Sequence, residues 1–124
     1  MGTILTTYDL AKDLTFVRAN GGMTARDFLR WGNTHSAKRV TDLVLWDLLR
    51  ADLSGLNGDE IKGLVSHSRG IAVMRKGGKT ALVFGHPHDF GIGRMMEAYS
   101  EIAEIPSRVR AFRTMTAARK WLGL

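Results

Sequence analysis

The polar side chains best suited to chemistry follow two apolar runs, 43–46 and 80–84, each of which predicts a buried strand. Acidic and hydroxyl side chains come after the first run, and two histidines and an arginine come after the second. Because the carboxyl ends of parallel strands meet at one edge of a sheet, we predict that these side chains converge there and form an interaction site. The predicted interaction residues are Asp47, Asp52, Ser54, His86, His88 and Arg94.

The pair His86-x-His88 suggests one specific chemistry, the binding of a metal ion. In an extended segment alternate side chains point the same way, so that both imidazoles could reach one ion. Asp52 or Asp89 could add a carboxylate. Zinc requires three or four ligands, however, and no third ligand stands in fixed register with the pair. Histidines that flank a proline at a helix start also serve structural roles, so we expect no metal and no other cofactor.

The segment Gly91-Ile92-Gly93-Arg94 opens a predicted helix and suggests a second kind of site. Glycines permit the close approach of a ligand, and a helix N-terminus beside an arginine favours an anion. The segment lacks the further fixed positions of a dinucleotide or Walker motif. This favours a packing role, with Arg94 paired with Asp47 or Asp52. A small anionic or lipid-like ligand held at this carboxyl edge is the alternative function.

The hydrophobic periodicity predicts the element order ββαβαβαβα. The predicted strands are 4–8, 14–19, 43–48, 80–84 and 108–112, and the predicted helices are about 24–36, 57–75, 90–103 and 114–122. The first two strands are close enough for an antiparallel hairpin, whereas strands joined through a helix are parallel. We therefore predict an α/β protein with a single mixed, mostly parallel sheet of about five strands flanked by four helices, in one domain spanning 1–124.

The run at 43–48 predicts the interior strand of this sheet, because it is apolar without the spacing of a helix. Trp46 within it should be substantially buried. Met95 and Met96 are most simply core residues. Trp31 lies off the centre of its apolar stripe, which leaves either edge packing or a contact surface open.

The composition limits the class of protein. The 124 residues are 44% apolar and 24% charged, as in soluble globular proteins, and contain no cysteine, which excludes disulfides and thiolate chemistry. The start of the chain does not resemble a signal peptide, and no apolar run approaches the roughly 20 residues of a transmembrane helix. We therefore expect a cytoplasmic protein without a transmembrane segment.

The net charge of +6 invites a comparison with nucleic-acid-binding proteins. The basic residues are spread along the chain, and a dense group such as Arg108, Arg110 and Arg113 is not interleaved with aromatic side chains in the manner of a stacking platform. This distribution argues against nucleic-acid binding and is equally compatible with an acidic protein partner.

Three segments resemble the STAS domains, the fold of the SpoIIAA-like anti-sigma factor antagonists, and their CRAL-TRIO-like relatives in bacteria. They are LVLWDLLRADLSGL at 43–56, FGIGRMMEAY at 90–99 and RVRAFRTMTAARKWLGL at 108–124. The resemblance implies a non-enzymatic module that binds regulatory proteins, and in some members nucleotides or lipids. No Ser-His-Asp order or pair of catalytic carboxylates stands out beside it. We therefore expect a bacterial protein–protein interaction module, as a monomer or a homodimer, rather than an enzyme.

The resemblance also implies a phosphorylated serine at the start of the helix after the central strand, within an Asp-Ser-Ser-Gly type motif. The nearest match is Asp52-Leu53-Ser54-Gly55, in which Leu53 interrupts the pattern. Ser54 is accordingly a candidate phosphate acceptor or simply a small polar residue that shapes a turn.

Overall fold

A computed structural model of the protein describes residues 2–36, 39–75 and 77–124. Within these ranges five strands form one sheet, in which their spatial order is their order along the chain. The strands are β1 Thr3–Asp9, β2 Leu14–Gly22, β3 Leu43–Asp52, β4 Lys79–Phe84 and β5 Arg108–Phe112. β1 is antiparallel to β2, and the other neighbouring pairs are parallel. The predicted mixed, mostly parallel sheet is confirmed.

The four predicted helical regions are all present, but the third begins at Pro87 rather than at about 90, so that His88 lies in a helical turn and not in the predicted extended loop. The helices are α1 Ala25–Trp31, α2 Gly58–His67, α3 Arg69–Met74, α4 Pro87–Ile102 and α5 Met115–Leu122. A π-helical turn, Gly32–Ser36, extends α1 to the predicted end of the first region. The second region divides into α2 and α3 at Ser68, whose hydroxyl donates to the Val65 carbonyl at 2.6 Å. Such hydroxyl–carbonyl bonds tend to bend helices.

Capping side chains mark the starts of three of the helices. Thr24 with Asp27 forms a capping box at α1, and Asn57 with Glu60 forms one at α2. The Thr114 side chain accepts a hydrogen bond from the Ala117 N–H at the start of α5. These side chains satisfy backbone N–H groups that have no partner within the helix.

Helices cover both faces of the sheet, so the middle strand is buried on both sides. On one face, the α1/α2/α4 face, Val44, Trp46 and Leu48 of β3 pack against those helices. On the opposite α5 face, Leu45 packs against Ala118 of α5. This explains why the run at β3 is apolar without alternation.

The structure extends β3 four residues beyond the predicted end at Leu48. Pairing with β2 continues as far as Gly22 opposite Asp52, although β4 ends at Phe84 opposite Leu48. Asp52 rather than Asp47 is therefore the acidic residue at the carboxyl end of this strand.

The tryptophans of the α1/α2/α4 face form part of its core. Trp46 is 8% exposed, which confirms its predicted burial. The Trp31 ring lies edge-on to Trp46 at 4.8 Å, and its Nε1 donates to Thr6 Oγ1 at 2.8 Å. Trp31 is thus an edge-packing residue. Met95 and Met96 are partly buried against the same core, as predicted.

Candidate functional site

Asp89 joins the two loops that follow β3 and β4. It lies in the first turn of α4 and is only 2% exposed. Its Oδ2 accepts a hydrogen bond from the Leu53 backbone N–H at 3.1 Å, and its Oδ1 lies 3.2 Å from Nδ1 of His88. The carboxylate considered from sequence as a metal ligand therefore connects the loop after β3 to the helix after β4.

Asp52 and Ser54 form a tight turn at the end of β3. Asp52 Oδ1 accepts from the Ser54 backbone N–H at 2.9 Å. The hydrogen bonds from the Ser54 side chain and backbone lower the pKa of Asp52, the nearby His86 and His88 lower it further, and partial desolvation opposes them. Both Asp52 and Ser54 are exposed to solvent.

Four of the six predicted site residues therefore belong to one exposed surface at the carboxyl edge of the sheet. We refer to this surface as the edge platform. It consists of Asp52, Ser54, His86 and His88. In the part of the chain that the structure describes, no three His, Asp or Glu side chains are grouped closely enough to hold a metal ion.

Asp47 does not belong to the edge platform. It lies inside β3, is 8% exposed, and faces the same side of the sheet as Leu45. Its Oδ2 accepts from Nε of Arg18 at 3.0 Å, and its Oδ1 accepts from the Leu49 N–H at 3.1 Å. Asp47 stands opposite Arg18 in the register of β3 with β2, and this carboxylate therefore pairs with a cation of the adjacent strand.

The predicted pairing of Arg94 with Asp47 or Asp52 is wrong. Arg94 has an exposed side chain and lies 3.2 Å from Glu97, one turn further along α4. Glu97 in turn accepts from the Ala111 N–H of β5 at 2.8 Å. Arg94 therefore lies on the side of α4 that contacts β5, and Asp47 and Asp52 have Arg18 and Ser54 as their partners.

The glycines before Arg94 differ in their roles. A Cβ at Gly93 would collide with the Phe84 ring and would lie 2.9 Å from Ala111 Cβ, so this glycine allows α4 to approach the sheet closely. Gly91 faces open space. The close approach of helix and strands accounts for Gly93 without a ligand.

Sequence reasoning missed a cavity of about 470 Å³ on the α1/α2/α4 face. Val44, Trp46 and Leu82 of the sheet lie along it. The trace of it in the sequence is that Ser68, Gly70 and Ala72, at alternate positions, are small, whereas bulkier side chains there would have filled more of the space that these residues line. Gly91, Gly93 and Arg94 do not line it.

A buried arginine lies at the end of this cavity that is nearest to the amino-terminal ends of the parallel strands. Arg75, which directly follows α3, is 7% exposed. Nε donates to the Thr41 carbonyl at 2.7 Å and Nη1 to Thr80 Oγ1 at 2.9 Å, while Nη2 donates to the carbonyls of Asp42 and Lys79. Burial lowers the pKa of this guanidinium, and the charges of Asp42 and Asp13 oppose that shift. It remains a cation at neutral pH.

The order of the strands, with helices on both faces, defines a SpoIIAA-like fold. A solved structure of an uncharacterized DUF3478 family protein from Shewanella loihica PV-4, described as having this fold, is similar to the chain with a TM-score of 0.63. The match covers 98% of this chain and 95% of that one at 16% identity, a level at which the likeness concerns the fold. The resemblance seen in the sequence is confirmed to that extent.

No protein-family model and no curated protein matches the sequence. None of the helices within the described ranges is long and apolar enough to span a lipid bilayer.

Proposed function

We propose that this chain is a non-enzymatic regulatory module of the bacterial cytoplasm that binds a partner protein through the edge platform. The observation that carries the proposal is the buried Asp89, which holds the two loops together while the platform side chains stay exposed. A preorganised surface loses little conformational entropy on binding. The SpoIIAA-like fold supports the same function.

The contacts within the edge platform favour binding over catalysis. Ser54 is held by Asp52, and the His88 imidazole lies against Asp89. The hydroxyl and the imidazole are thus oriented by different carboxylates, whereas an activated serine nucleophile needs the imidazole beside its own hydroxyl.

The proposal is tested by capturing the partner and then measuring the effect of single substitutions. The wild-type protein, immobilised, is used to recover partners from a lysate of the source organism, and the purified partner is titrated against Ser54→Asp and His88→Ala. We expect each change to weaken binding at least about tenfold, since both alter the centre of the contact surface. Arg119→Ala, on the distant α5, is the matched control and should bind as wild type.

Arg94→Ala tests whether the contact surface extends beyond the edge platform along α4. Because the Arg94 side chain is exposed in its ion pair with Glu97, we expect the free energy of unfolding to change by less than about 0.5 kcal/mol. Undiminished binding by folded Ser54→Asp and His88→Ala proteins would refute the edge platform. Loss of binding in Arg110→Glu would then place the site on the basic face of β5.

A further inference from the structure

The cavity on the α1/α2/α4 face has the size and the lining of a ligand site. Its volume of about 470 Å³ lies within the range of about 300–1,000 Å³ that is typical of small-molecule pockets. At about 30 Å³ per heavy atom, the volume of a water molecule in the liquid, it holds on the order of fifteen heavy atoms.

The shape of the cavity suits an elongated apolar chain. Val44, Trp46 and Leu48 line it from the same face of β3, and the four residue steps between the first and the last span about 13 Å. Leu53, beyond the end of the strand, continues the apolar lining.

Polar and cationic groups gather at the other end. Thr41, Thr80 and Arg75 line the cavity at the amino-terminal end of the parallel strands. Four oxygen atoms accept from the Arg75 guanidinium, so that one of its five N–H groups has no partner among the described residues. Arg39, exposed, lines the cavity with its guanidinium over the Tyr8 ring at 5.4 Å.

The charges of the lining are of one sign. Its ionisable groups besides Tyr8 are His35, Arg39, His67 and Arg75, and none of the described residues that line it is an Asp or a Glu, although the charges of Asp42 and Asp13 act on Arg75 from outside the lining. A low-dielectric cavity whose lining carries cations at one end and no carboxylate favours an anionic group at that end.

From these observations we infer that the cavity binds a single-chain carboxylate amphiphile of medium length. Its hydrocarbon chain lies over Trp46 and Leu48, and its carboxylate lies at the amino-terminal end, near Arg39 and Arg75. This site is distinct from the edge platform, and its occupation is measured without a protein partner, so either proposal can fail alone.

The test is a titration of the full chain with dodecanoate below its critical micelle concentration, in which tryptophan fluorescence is recorded at each step. Trp31 and Trp46 line the cavity, whereas Trp121 packs on the α5 face. We expect a saturable change with a Kd of about 10 µM or tighter, and at least about fivefold weaker binding of the uncharged 1-dodecanol. Absence of a saturable change, or equal affinity for both compounds, overturns the inference.

Two variants locate the ligand. Arg39→Glu should weaken dodecanoate binding at least about fivefold while leaving dodecanol binding unchanged, because only the carboxylate senses the reversed charge. Arg26→Glu, an exposed arginine of α1 outside the cavity, controls for net charge and should bind dodecanoate as wild type. Equal losses in Arg39→Glu and Arg26→Glu would indicate adsorption to a basic surface and would overturn the site.

Ala72→Phe tests the occupied volume, since Ala72 lines the cavity and is 2% exposed. A folded Ala72→Phe protein should bind both compounds at least about tenfold more weakly. Wild-type affinity in a folded variant overturns the site. Should Ala72→Phe fail to fold, the site is tested by the effect of Arg39→Glu and by the comparison of dodecanoate with 1-dodecanol.

Discussion

At the scale of single residues, Asp89 and Asp52 show that burial gives the same carboxylate group different roles. Asp89 is 2% exposed and satisfies the backbone N–H of Leu53, so it contributes to the structure of the loops. Asp52, exposed at the end of β3, accepts from Ser54 and keeps its carboxylate at the surface. Only Asp52 is available to a partner.

Asp52 should contribute to the acid sensitivity of the fold. Because hydrogen bonds lower its pKa in the folded protein below the ordinary value of 3.8, the unfolded chain takes up its proton first as the pH falls. Its contribution to stability is complete above the ordinary value and is lost as the pH falls through the lower pKa of the folded state. Asp52→Asn keeps an oxygen acceptor for the Ser54 N–H but does not titrate.

We therefore expect the free energy of unfolding of Asp52→Asn to fall less steeply than that of wild type between about pH 5 and pH 2.5. Urea unfolding at a series of pH values measures this slope. Asp59→Asn, which removes another exposed carboxylate, controls for the change in net charge. Parallel pH profiles for wild type and Asp52→Asn would show that the turn does not stabilise the charged form.

At the scale of elements, α4 illustrates how one helix carries two glycines for different reasons. Gly93 faces Phe84 and Ala111 across a close helix–sheet contact, whereas Gly91 faces open space two residues earlier. The sequence pattern treated both as parts of one segment. Their separation follows from the helical turn, because a rotation of about 200° over two residues places them on opposite sides.

Alanine substitution at each position should have opposite effects. We expect Gly93→Ala to lower the free energy of unfolding by about 1–3 kcal/mol through overpacking. Gly91→Ala should raise it by about 0.5–1 kcal/mol, because alanine is the better helix former and meets no neighbour. Denaturant unfolding of the two variants measures both values. Equal stability of the two would argue against the close contact at Gly93.

At the scale of the whole molecule, the sheet is stabilised from both faces through its middle strand. Leu45 is fully buried against the α5 face and Trp46 is 8% exposed on the α1/α2/α4 face. Adjacent residues of one strand thus join two hydrophobic clusters into one structure, and loss of either cluster removes support from the same strand.

Truncation at either face should therefore destabilise the whole chain. We expect Trp46→Ala to cost about 3–5 kcal/mol and Leu45→Ala about 2–5 kcal/mol. Leu5→Ala, at a position that is 63% exposed on β1, should change stability by less than about 0.5 kcal/mol. Circular dichroism and tryptophan fluorescence should report coincident transitions. Separate transitions for the two probes would show that the faces unfold independently.

The sequence by itself determined the order of the elements, the direction of the strands and the burial of Trp46. These follow from local periodicity, from capping residues such as Thr24 and Asn57, and from the length of the connections. It also placed Asp52, Ser54, His86 and His88 at one edge, because that placement depends only on strands being parallel neighbours.

The tertiary structure alone decided the partner of each charge and the space between the elements. Arg94 pairs with Glu97 and Asp47 with Arg18, because side-chain pairing depends on register and on how far each strand extends. The cavity likewise depends on which side chains of the helices and of the sheet face each other, because small side chains leave space between them. The volume between the elements depends on how all of them pack together, and no single segment of the sequence determines it.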